Sequence, residues 1–281
     1  MKFPVKIICS LPEMVIEEGV SLRLISSDEK FSYLGITDPE YNEEGRLIKV
    51  GPNSYGLMRP PSDIDPNLSV NFSASNYFFV VESADQAKNI KHTIKLYSQN
   101  STSLLIGFVG DGHQAGARYL HPPEFYGTGF LVLDGGNFPR FKQIYRLVAD
   151  EAHDGTKLSL ALEKYSYAVS SLGISNVHRF LECAIILEMI ILPTQQSELS
   201  YRFSLRMAKI CRKYFGEDAQ TAFDTAKIIY EIRCGLAHNG SHKKTEQMLP
   251  AVIELTRKLL LQYLNDQSQF TSKALDALCL E

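Results

Sequence analysis

The period at which apolar residues recur changes once along this chain, and that change limits what the chain can fold into. Before about residue 138 the apolar runs are short and broken by turn residues. After it they return every three to four positions through long segments. The first part predicts strands at 5–9, 20–25, 31–36, 46–50, 77–81, 103–109 and 129–133. Clusters such as Asp38-Pro39, Gly51-Pro52-Asn53 and Arg59-Pro60-Pro61-Ser62 separate them. One helix interrupts these strands at 84–97, where Ala87, Ile90, Ile94 and Tyr97 share a face. The second part predicts amphipathic helices at 140–151, 156–172, 175–192, 199–215, 217–238 and 245–265. The expected fold class is α+β in two domains: a β-rich N-terminal domain over 1–137, then an all-α helical bundle over 138–281.

The chain's 281 residues are enough for two cores at roughly 150 residues per domain. Hydrophobic residues at 44% and charged residues at 22% argue against disorder and fibrous repeats. No uncharged apolar run is long enough to span a membrane. The apolar run at Ile7-Ile8-Cys9, closed by Pro12, is too short for a secretory signal, so the expected location is cytoplasmic. Cys9, Cys183, Cys211, Cys234 and Cys279 are odd in number and lack close pairs, which predicts reduced, mostly buried thiols. Residues 1–137 carry a net charge of −5 and residues 138–281 a net of +2, so anion binding is expected in the second part, from a local patch.

Within the bundle, residues 177–192 are apolar on nearly every face in their second half, which predicts a helix at the centre. Glu188 on that helix loses water and needs a partner: an Arg or a backbone donor of a neighbouring helix, or a catalytic group that it positions. The next helix carries Phe203, Met207, Ile210 and Tyr214 as an apolar stripe. Arg202, Arg206, Lys209 and Lys213 repeat the same steps one residue earlier, about 100° round the helix. Such a row of cations suits a phosphate backbone, and it also suits pairing with Glu188 or other carboxylates of the bundle.

In the following helix Phe223, Ala226, Tyr230, Arg233 and Ala237 fall at helical spacing, which places Arg233 on the packed face. His238 follows at the last turn, and Asn239-Gly240 ends the helix. A guanidinium can hold a phosphate and the charge that develops on it. An imidazole can take a proton from a 2′-hydroxyl or return one to a 5′-oxygen. The two together are what ribonucleolysis without a metal requires.

The run Tyr230-Glu231-Ile232-Arg233-Cys234-Gly235-Leu236-Ala237-His238-Asn239-Gly240 resembles the signature of HEPN domains, an Arg followed by a His at a helix end with a Gly close behind. Leu187-Glu188-Met189 and the words from Glu198 to Ala208 resemble those of the Apea-like subgroup, in the same order. The resemblance covers about residues 140–265. It implies a HEPN-like bundle that dimerises, with the active site at the subunit interface and RNA as the partner. It also implies cleavage without metal or other cofactor to 2′,3′-cyclic phosphate and 5′-hydroxyl ends, as in toxins and effectors of phage defence. On this chain Arg233 and His238 are then the catalytic pair, Glu188, Tyr230 and Cys234 support it, and Arg202, Arg206, Lys209 and Lys213 bind RNA. Cys234 stands where many active members carry a polar residue, and His242 is a second candidate for the imidazole. HEPN domains that bind without cleaving imply the alternative, a non-catalytic binding and dimerisation module.

In the first part Asp111, His113 and His121 match no metal-ligand spacing, and Gly127-Thr128-Gly129 and Gly135-Gly136 lack the Lys-Ser or Lys-Thr of a phosphate loop. No metal site is expected. His153 and His178 are expected at the surface or the core edge. The first domain is expected to act as a sensor or regulatory module for a trigger ligand or inhibitor, or else to enlarge the dimer interface.

Overall fold

The computed structural model describes residues 2–5, 7–9, 13–24, 40–41, 47–49, 77–97, 131–169, 174–194 and 197–280. These residues are mostly helical, with a small antiparallel sheet near the N-terminus. The strands are β1 (Lys2–Val5), β2 (Ile7–Cys9), β3 (Glu13–Glu17), β4 (Val20–Leu24), β5 (Glu40–Tyr41), β6 (Leu47–Lys49), β7 (Tyr77–Val81) and β8 (Leu131–Leu133). The helices are α1 (Ala84–Tyr97), α2 (Phe138–Glu151), α3 (Lys157–Val169), α4 (Asn176–Ile191), α5 (Leu199–Ile210), α6 (Ala219–Asn239), α7 (Thr245–Asn265) and α8 (Ser272–Leu280). The strands expected at 31–36 and 103–109 lie outside the described residues, as do Asp111, His113 and His121.

One compact unit comprises residues 1–94 and 100–145. Its main sheet has the order β1-β7-β4-β3, antiparallel throughout. The strand expected at 5–9 is two strands, because Val5 pairs with Tyr77 whereas Ile7 pairs with Leu131 in a separate parallel ladder. Strand β3 was not anticipated. Its alternation is nonetheless clear, with Met14 and Ile16 buried and Val15 exposed between them. The β3–β4 turn needs Gly19: φ is +74°, and a Cβ there would lie 2.6 Å from the Glu82 carboxylate.

Met14, Ile16, Val20, Leu22, Phe79 and Val81 supply the sheet's share of the core. Phe141 of α2 stacks on Phe79 at 5.9 Å between ring centroids. Tyr145 donates to Glu17 Oε1 at 2.7 Å, and Lys142 Nζ donates to the Val15 carbonyl at 3.3 Å. These contacts carry the unit through Tyr145, past the change of period at 138 where the boundary was expected. A helical period marks where α2 begins; what α2 packs against sets the edge of the unit.

The other unit comprises residues 95–99 and 146–281. Helix α4 lies at its centre, in contact with α3, α5, α6 and α7, and buries Phe180, Cys183, Ala184, Ile186, Leu187, Ile190 and Ile191. Ser175 caps α4 by accepting from the His178 N–H, and Asp218 caps α6 by accepting from the Thr221 N–H. Helix α5 continues through a wider turn at Cys211–Phe215, and Gly216 closes it in the left-handed region. Helix α8, which periodicity did not reveal, packs on α5. The end of α1 joins this unit through the Leu96 carbonyl, which accepts from Arg257 Nη1 at 3.0 Å, and through Lys95, which donates to the Ser166 carbonyl at 2.9 Å.

The α5–α8 contact has a buried guanidinium at its heart. Arg206 is 1% exposed; its Nη1 donates to the Ile191 carbonyl at 2.8 Å and its Nη2 to Asp276 Oδ1 at 2.6 Å. Asp276→Ala leaves that charge without its carboxylate and should cost about 1–3 kcal/mol. A thermal midpoint lower by several degrees, read by calorimetry, is the expected outcome. Burial pushes the thiols of Cys183 and Cys211 up to about 12. Both should resist alkylation at pH 8 in the folded protein and react once it is unfolded, as mass spectrometry would record.

Candidate functional site

Helix α6 places the predicted pair. Its buried side chains are Ala222, Ala226, Ile229, Ile232 and Leu236, so the packed face is turned by one residue from the expected Phe223, Ala226, Tyr230, Arg233 and Ala237. Arg233 and Tyr230 are therefore half-buried at the edge of that face, and Ala237 is exposed. An edge position leaves a guanidinium accessible from one side.

Glu188 of α4 holds Arg233 from the other side. Arg233 Nε lies 3.0 Å from Glu188 Oε1, and Nη2 donates to Oε2 at 3.1 Å, a fork that fixes the guanidinium plane. Of the two alternatives for Glu188, this is the Arg of a neighbouring helix. Burial raises the Glu188 pKa and Arg233 opposes the shift, with burial prevailing. Tyr230 packs on Phe203 at 5.6 Å between centroids, and burial also raises its pKa, with further contributions from Cys234 and Glu188. Cys234 is half-buried one turn beyond Tyr230.

Glu188, Tyr230 and Arg233 line an open cleft of about 400 Å³ together with Lys157, Met189, Leu192, Pro193 and Leu199. Of the last five, Met189 and Leu199 entered the sequence reading only within the words at 187–189 and 198–208, and none was given a role in a site. Lys157 carried one legible signal, a cation in the first turn of a helix, where the macrodipole disfavours it. Burial lowers its pKa, and its side chain makes no hydrogen bond or ion pair with a described residue. The apolar lining comes from the end of α4 and the start of α5, positions that periodicity assigns to the core.

His238 does not line this cleft. Five residues along an α-helix turn its side chain about 140° from that of Arg233 and advance it about 7.5 Å. It is exposed, and its side chain makes no hydrogen bond to a described residue. His242 is more engaged: its Nδ1 accepts from the Lys244 N–H at 3.3 Å, and its Cδ2 would lie 3.0 Å from a Cβ on Gly235. Of these two imidazoles, that of His238 is the more exposed. His153 is exposed, and His178 bonds through Nδ1 to Ser175 Oγ at the start of α4.

The basic row of α5 is not a continuous solvated surface. Arg206, at its middle, is committed to Asp276 and the Ile191 carbonyl beneath α8. Arg202 lies 3.5 Å from Glu198, and its Nε is buried without a hydrogen-bond partner. Lys209 is half-buried, while Lys213 is exposed beside the Tyr214 ring at 5.2 Å. The carboxylates that answer the row are Asp276 of α8, at Arg206, and Glu198, at Arg202; Glu188 faces Arg233. Among the described residues no three His, Cys, Asp or Glu converge as metal ligands, and no helix is long and apolar enough to cross a membrane.

Comparison of the chain with models of known protein families, with curated proteins and with solved structures finds no match.

The raised Glu188 pKa has a consequence for stability. The folded state holds this proton more tightly than the unfolded state, so the group's contribution falls as pH rises from its ordinary 4.5 through the raised folded value. The thermal midpoint of the wild type, measured against Glu188→Gln, should decline across that window and level off above it. A flat difference would show that Arg233 offsets the burial completely.

Proposed function

We propose that this protein is a metal-independent endoribonuclease of the HEPN type that acts as a homodimer, with Arg233 and His238 as its working pair. The observation that carries the reading is their disposition on α6. Arg233 lines a cleft with Nη1 uncommitted, while His238 is open to solvent near the helix end, about 140° away. The two diverge within one chain, so a phosphate held by Arg233 meets the imidazole of a second copy across the subunit interface. One imidazole takes the proton of the 2′-hydroxyl as O2′ bonds to phosphorus. The P–O5′ bond breaks, and a proton returns to O5′, leaving a 2′,3′-cyclic phosphate and a 5′-hydroxyl. Glu188 and Tyr230 position Arg233, and Cys234 sits beside Tyr230.

Arg202, Lys209 and Lys213 remain as RNA contacts, in a shorter row than four. The bundle over 138–281 is the catalytic domain in this reading. The β-rich part over 1–137 senses a trigger ligand or inhibitor, as befits a cytoplasmic toxin or phage-defence effector. One observation favours the second reading, a non-catalytic binding and dimerisation module: the Glu188 carboxylate already matches the Arg233 charge.

Purified protein incubated with a mixed RNA pool in EDTA tests the first reading. Cleavage with cyclic-phosphate ends is expected, falling about a hundredfold or more in His238→Ala and in Arg233→Ala. RNA left intact by a dimeric wild type and by a dimeric 138–281 fragment would favour the binding module.

A further inference from the structure

His242 is held more firmly than a place in the α6–α7 turn requires. Gly240, at φ +70°, ends α6 and lets the chain double back, so that the His242 ring lies over Gly235. A Cβ on Gly235 would stand 3.0 Å from His242 Cδ2. Glycine inside a helix destabilises it relative to alanine, and here it leaves room for the imidazole. The backbone is fixed as well. The His242 carbonyl accepts from the Thr245 N–H at 3.1 Å and from Thr245 Oγ1 at 2.7 Å, and Thr245 is buried.

The bond made by the ring decides what the ring can do. Nδ1 accepts from the Lys244 N–H at 3.3 Å, and the neutral tautomer that fits this bond carries its proton on Nε2. An imidazole so held is a fixed donor, not a proton shuttle, because Nδ1 is engaged and Nε2 keeps its hydrogen. Among the described residues no acceptor meets Nε2. The surroundings favour an anion there, since Lys243 and Lys244 follow directly and both are exposed. Gly235 and His238 are three residues apart on α6, about 60° round the axis and about 4.5 Å along it. The ring over Gly235 therefore shares a side of the helix with His238.

We propose that His242 is a second phosphate contact of the ribonuclease, its Nε2–H donating to a nonbridging oxygen of the scissile phosphate while His238 moves the proton. This role rests on the ribonuclease reading above. Charge on that oxygen grows as O2′ bonds to phosphorus, so a donor already in place stabilises the transition state more than the bound substrate.

RNA cleavage by the full chain in EDTA, compared across three variants, tests the proposal. His242→Ala should slow it about a hundredfold. His242→Gln keeps an N–H near the place of Nε2 and should recover most of that loss, whereas a proton shuttle would be lost equally in both. Gly235→Ala should slow cleavage about tenfold, because its Cβ displaces the ring; this check does not depend on the histidine variants folding. A substrate with sulfur at one nonbridging oxygen, a weak acceptor, reads the phosphate contact itself. Wild type should cleave its two diastereomers at rates about tenfold apart, and His242→Ala should bring them within about twofold. An unchanged rate in folded His242→Ala, equal losses in the Gln and Ala variants, or a diastereomer preference that survives His242→Ala would overturn the proposal. The two readings fail distinguishably: cleavage that ignores His242 removes this contact alone, and no cleavage by wild type removes the ribonuclease and the contact together.

Discussion

A helix with almost no polar face has to be covered on every side, and the helical unit is arranged around that requirement. Helix α4 meets α3, α5, α6 and α7, and seven of its side chains are buried. Any polar group it carries must then sit where two covering helices part, or be matched in place. Glu188 does both. It lies at the edge where α6 leaves α4, and Arg233 closes on it with two hydrogen-bonding contacts. The cleft occupies the same edge, so burial of α4 and the accessibility of Arg233 are consequences of one geometric constraint.

The same economy governs the cations of α5. Covering the far side of α5 with α8 removes Arg206 from water, and a guanidinium so placed needs several acceptors in fixed directions. The Ile191 carbonyl at the end of α4 and Asp276 of α8 supply them. One member of a row that reads as a polyanion track therefore ties three helices together. A second buried guanidinium among the described residues, that of Arg257, works alike: Glu254 holds two of its nitrogens and the Leu96 carbonyl the third. Arginine serves here because its planar donors satisfy a carboxylate and a carbonyl at once.

Much of the fold was legible because its signals are local. Helix α1 is expected at its observed bounds, and α4, α6 and α7 to within a residue or two, from apolar spacing. Strand β3 was missed although Met14, Val15 and Ile16 alternate, because Pro12 and the acidic neighbours read as a break. Helix α8 was missed because nine residues give too few turns for a period to stand out. At the candidate site, the Glu188 partner was anticipated in kind, since burial of a carboxylate demands one. Lys157, Met189, Leu192, Pro193 and Leu199 were not, because they come from three separate segments that only the bundle brings to one cleft.

By itself the sequence determined that the chain changes from a strand-forming to a helix-forming pattern, that α4 is central, and that Glu188 is paired. Each of these follows from spacing along the chain or from the cost of stranding a charge. The tertiary structure alone decided the rotation of α6 about its axis. A shift of one residue, about 100°, moved Arg233 from the packed face to its edge and Ala237 into solvent. It also decided which cation of α5 is buried, because four equivalent residues in one helical row become different only when α8 lies over some of them. Periodicity specifies a face to within a residue, whereas packing of neighbouring helices fixes the exact angle, and a charged side chain's role depends on that angle.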